Sequence, residues 1–175
     1  MGKSYEKFSY HMQTGIALKR GGKYQEALKN YLIAGECIDS GEISGEDILN
    51  FYKSMGKITY ILGDYQASCI NYLNYIKILH VIAKHMNQVI STAQDLVNID
   101  ANIVTHLGYS VLQLVPDIYT ESNRDSILDE YRKSIDPYYE KQSDRKSNIT
   151  FEADRIALNI GANFARLQLP DILQA

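Results

Sequence analysis

Four histidines, two cysteines and a few paired carboxylates are the residues whose chemistry could make this chain a catalyst. His80 and His85 lie five apart. Two ligands on one helical face need a spacing of three or four, so this pair is poorly set for a metal. His11 and His106 have no partner at ligand spacing, and both read as hydrogen-bonded or partly exposed histidines. Cys37 and Cys69 form no C-x-x-C pair and read as buried thiols in a reducing compartment. Glu46-Asp47 and Asp129-Glu130 read as helix-start or solvated-face charges rather than an acid–base pair. The phosphate-binding glycine loops, the G-x-S-x-G elbow and the H-E-x-x-H motif are all missing from the sequence. The expectation is a non-catalytic protein with no catalytic residues, no cofactor and no metal site.

Composition narrows the alternatives. The 175 residues are 45% apolar and 22% charged, which suits one folded domain. A net charge of -3 gives no overall attraction to nucleic acid or to an anionic lipid surface. No apolar run is long enough to span a membrane, and the opening MGKSYEKFSY lacks the apolar core of a secretory signal. The expected location is cytoplasmic. All three prolines lie beyond residue 115, so long helices are permitted before it.

The elements that would position any working surface come from an internal repeat. Gly15, Gly22, Tyr24, Ala27 and Tyr31 recur, with unchanged spacing, as Gly56, Gly63, Tyr65, Ser68 and Tyr72. Gly22 and Gly63 suit a helix C-terminus in the left-handed conformation. Tyr24 and Tyr65 would then open a second helix. Ala27 and Ser68 keep the crossing close, and Tyr31 and Tyr72 fill the space between repeats. Gly15 and Gly56 would let another helix approach, because a mid-helix glycine costs about 1 kcal/mol and needs a packing reason.

This pattern resembles the tetratricopeptide repeat family, whose antiparallel helix pairs stack into a right-handed solenoid. The resemblance covers residues 8–38 and 49–80. It departs from the family in having His11 and Tyr52 at the large aromatic position, Asp39 and His80 at the closing proline position, and a longer period. Beyond it, an apolar stripe from Ile70 to Val97 predicts one long helix over residues 66–97, with a break near Asn87 as the alternative. Degenerate repeats follow at 101–142 and 151–168. One helix runs from Ala101 to Leu114 around Gly108, another lies around Gly161, and one from Arg124 to about Gln142 carries Tyr131. Pro137 ends or kinks that helix, and residues 142–148 read as a linker. The fold class is thus an all-α solenoid of about seven helices, the last of them unpaired.

The resemblance implies a concave groove lined by the first helix of each repeat, holding a peptide or a partner helix. Carried onto this sequence, the groove positions include Met12, Ile16, Lys19, Arg20, Asn50, Lys53, Lys57, Tyr60 and Tyr109. Six of the twenty implied positions are basic (Lys19, Arg20, Lys53, Lys57, Arg155 and Arg166) and none is acidic, where chance gives about two of each. The expected partner is a protein or peptide with an acidic or C-terminal segment. The carboxylate clamp of chaperone-binding relatives is not reproduced, since Met12, Ile16 and Ser54 replace its polar residues. Alternative readings are a peptide-sensing regulatory domain and a small secretion-type chaperone. A homodimer is a further expectation, from the unpaired last helix.

Overall fold

A glycine followed two residues later by tyrosine is where this chain reverses direction. In the computed structural model, which describes residues 2–115, 124–135 and 148–175, α1 (Lys3–Arg20) ends at this turn and α2 (Tyr24–Gly35) begins at its tyrosine. The second copy of the turn separates α3 (Gly45–Ile61) from α4 (Tyr65–His85) in the same way. Gly22 and Gly63 have φ of 77° and 82°, a conformation that costs a glycine almost nothing. The turn is therefore encoded by residue type. Asp64 adds a cap by accepting the Ala67 amide at 3.1 Å.

Each of these hairpins is locked by its own tyrosine. A side chain at Gly15 would collide with the Tyr31 ring at 2.5 Å, and one at Gly56 with the Tyr72 ring at 2.4 Å. The ring packs where the glycine leaves the backbone bare. Tyr31 and Tyr72 are almost wholly buried there, and both also reach the following hairpin. The Tyr31 phenol meets Ser54 of α3, and Tyr72 stacks on His106 at 5.8 Å. Ala27 and Ser68 are fully buried at the crossings, as their size requires. The Ser68 hydroxyl donates to the Gly56 carbonyl at 2.8 Å.

The predicted long helix over 66–97 does not exist. α4 stops at His85, Asn87 takes a left-handed φ of 57°, and a new helix, α5 (Ala93–Leu114), starts at a capping box made by Thr92 and Asp95. Apolar burial continues across the break because Ile90, in the connection, is buried along with Ala83 and Leu96, although Met86 of the predicted stripe is exposed. Periodicity alone therefore could not reveal the interruption. Within α5, Asp100 is non-helical, and its carboxylate caps the stretch that follows by accepting the Ile103 amide at 3.2 Å. The helix expected from Ala101 is thus present, with about two added turns before it.

The chain continues with α6 (Arg124–Ile135) and α7 (Asn148–Gln168). Here the order of packing differs from the expected repeat. α5 pairs with α7 rather than with α6, running antiparallel to it with Gly108 against Ala157 and Gly161 against Val104. The last helix is therefore not left without a partner. The remainder of the helix expected to reach Gln142, with Pro137 and the linker 142–148, falls mainly on residues 136–147, outside the described residues.

Three hairpins result: α1/α2, α3/α4 and α5/α7. The first two share a core built on Phe8, Tyr31, Phe51 and Ile58. The second and third share one built on Tyr72, Ile76, Leu96, Leu107 and Leu169. Ser68 and Ser110, 2.9 Å apart, and Tyr75 donating to Asp100 at 2.6 Å set the register between α4 and α5. Among the described residues the structure is all-helical, with no strand and no helix long and apolar enough to cross a membrane.

Candidate functional site

The first helices α1, α3 and α5 carry the implied groove positions, and the structure separates these into two groups. Lys19, Lys53 and Lys57 are half-buried, while Arg20, Asn50 and Ile16 are exposed. Met12, Tyr60 and Tyr109 instead are buried, at 7%, 3% and 1% exposure. Met12 packs into the core of the first hairpin beside Phe8 and Ala27, so its side chain does not line an open surface. Tyr60 and Tyr109 are covered for a different reason, which is α6.

α6 lies across the groove. Its residues Ile127, Leu128, Tyr131 and Ile135 are buried against Tyr60 of α3, Tyr109 and Leu112 of α5, and Ala153 and Ala157 of α7. Tyr131 sits at the centre. Its ring stacks on Tyr109 at 3.8 Å and meets Tyr60 edge-on at 4.8 Å. Such ring pairs contribute about 0.5–1.5 kcal/mol each beyond their buried area. The tyrosines beneath are held by the scaffold itself. Tyr60 accepts from Gln113 at 3.0 Å, and Tyr109 donates to Asp154 at 2.8 Å.

The polar centre of this cradle is His106. Its Nδ1 is hydrogen-bonded to the Tyr131 hydroxyl, and its ring stacks on Tyr72 and meets the Tyr131 ring at a tilt. Burial holds the imidazole neutral, lowering its pKa to about 3, and the positive charges of Lys57, Lys53 and Lys19 push in the same direction. Three lysines from two helices thus act on one point of a third helix. Burial also raises the Tyr131 and Tyr72 phenols well above their usual values, so both stay protonated at any physiological pH.

His106 and Tyr131 are the residues that the sequence reading passed over as a site. A signal for His106 existed. It precedes Gly108 by two residues, as Ser54 precedes Gly56, and both positions receive the tyrosine of the preceding hairpin. Arg155 is exposed on α7 and Arg166 half-buried on it, and α7 pairs as a second helix, so neither belongs to the lysine group of α1 and α3. Cys37 and Cys69 are buried free thiols, and burial lifts the Cys69 pKa to about 12. Among the described residues no group of three histidine, cysteine or acidic side chains comes together as a metal site.

No protein-family model, curated protein or solved structure matches this chain. The tetratricopeptide resemblance therefore rests on the residues of the two hairpins alone.

Proposed function

We propose that this protein is a non-catalytic interaction module of tetratricopeptide-like build, whose α1–α3–α5 face grips an acidic segment of a protein partner. The observation that carries this reading is that Lys19, Lys53 and Lys57, half-buried on α1 and α3, all bear electrostatically on His106 of α5. These lysines come from two hairpins, so the positive field belongs to the assembled face and not to one helix. An acidic segment laid across α1 and α3 would meet all three. The reaction-type alternatives gain nothing from the cradle: His106 is buried against the Tyr131 hydroxyl, and burial keeps its imidazole neutral and the Tyr131 phenol protonated.

The test is competition against a partner captured by the wild-type chain. An acidic peptide should displace it at a concentration at least tenfold below that needed for a neutral peptide of equal length, and the difference should shrink in high salt. The Lys53→Glu chain and the Lys53→Glu/Lys57→Glu chain should lose the partner progressively. Equal competition by the two peptides, or full retention by both variants, would overturn the reading.

A further inference from the structure

Three features set α6 apart from the scaffold it lies on. The hairpins close without it. α5 and α7 meet backbone to backbone, since a side chain at Gly108 would overlap the Ala157 carbonyl and one at Gly161 the Val104 carbonyl. The open end of that hairpin is fastened where the Gln174 amide donates to the Ser91 carbonyl at 2.7 Å. Second, α6 is a short, polar helix anchored by Ile127, Leu128, Tyr131 and Ile135 on one side, with Asp125, Asp129 and Arg132 exposed on the other. An isolated helix of twelve residues is marginal in water, so contact with the cradle is what keeps α6 helical. Third, the tyrosines beneath are bonded within the scaffold. Tyr60 and Tyr109 are fixed by Gln113 and Asp154, neither of which belongs to α6.

Anchors at i, i+1, i+4 and i+8 are the pattern by which an amphipathic helix is held in a groove. We infer that the cradle of α3, α5 and α7 is a helix-binding site that α6 fills in cis, and that an amphipathic helix of a protein partner takes its place. The inference rests on the interaction reading above and adds the conformation of the partner's segment and the event that admits it. The chemistry of the ligand follows from the cradle. Aliphatic side chains are required at its first, second and ninth positions. A tyrosine is required at the fifth, because a phenol reaches Nδ1 of His106 while its ring stacks on Tyr109. Phenylalanine at that position would leave His106 Nδ1 buried without its partner, a more costly loss than that of an exposed hydrogen bond.

The test uses the full chain. Tyr131→Glu places a carboxylate among buried rings and expels α6; Ile127→Ser is a milder second variant. A fluorescein-labelled peptide of sequence Arg124–Ile135 is titrated into each, with anisotropy reporting binding and circular dichroism reporting helix content. Both variants should keep the helices of the three hairpins and bind the peptide at least tenfold more tightly than the wild type. The same peptide carrying Tyr131→Phe should lose about tenfold of that affinity. Folded variants that bind no better than the wild type would overturn the inference, as would unfolding of both variants, because α6 would then be core. A wild-type dimer that both variants convert to monomer would also overturn it, by making the occupant the α6 of a second copy. Peptide binding is read without the lysines. If it succeeds while Lys53→Glu has no effect, only the acidic-partner reading falls; if it fails while partner capture stays lysine-dependent, only this inference falls.

Discussion

His106 shows at the scale of one residue how burial and charge act together. The folded protein keeps the imidazole neutral down to about pH 3, whereas the unfolded chain protonates it near 6.5. Between those values the unfolded state binds a proton that the folded state refuses. The contribution to stability is therefore complete above about pH 6.5 and declines as the pH falls toward 3, by up to about 1.4 kcal/mol per unit. Denaturation of the wild type at pH 7 and pH 5 should show a loss from this source of about 2 kcal/mol. In His106→Asn, which retains a polar atom near Tyr131 but has no titrating ring, that part of the loss should vanish. Equal pH dependence in the two proteins would mean that His106 is not held neutral by its surroundings. The sequence places His106 two residues before Gly108, but its burial depends on Tyr72 and Tyr131 arriving from 34 residues before it and 25 after it (106 − 72 and 131 − 106), and no local pattern reports that.

At the scale of the element, the same residue type serves two opposite needs. Gly41 adopts a φ of +79° with open space around it, so its role is conformational. Gly108 is ordinary helix, and its role is to let α7 approach, because an added Cβ would lie 1.7 Å from the Ala157 carbonyl oxygen. Gly41→Ala should cost about 1 kcal/mol through strain alone. Gly108→Ala must push two helices apart and should cost about 3 kcal/mol or more. Urea titration of both variants checks the order; a Gly108→Ala protein as stable as Gly41→Ala would mean that α5 and α7 are not in backbone contact. The same distinction explains what could be read in advance. α1 to α4 were legible because the Gly-x-Tyr turn, the small crossing residue and the buried tyrosine are fixed by local geometry and repeat at fixed spacing. The α4–α5 break was written in Asn87 and in the Thr92-x-x-Asp95 box, but the apolar stripe through Ile90 concealed it. The pairing of α5 with α7 was not legible, since it depends on a helix being spliced between the two partners of a hairpin.

For the whole molecule, the described residues form three hairpins that satisfy one another and a further helix, α6, laid over α3, α5 and α7. The groove positions drawn from the tetratricopeptide resemblance fall accordingly into a lysine group on α1 and α3, which is half-exposed, and the tyrosines Tyr60 and Tyr109, which α6 covers. The central claim is that α6 can leave this face while the hairpins stay folded. Native-state hydrogen exchange tests it without a partner or a mutation. Amides of Ile127, Leu128 and Tyr131 should exchange through a local opening, at least about a hundredfold faster than those of Leu107 and Val111 in α5. If the α6 amides exchange only with the slowest amides of α5 and α7, the helix opens only when the whole protein unfolds, and the account of a displaceable occupant is contradicted.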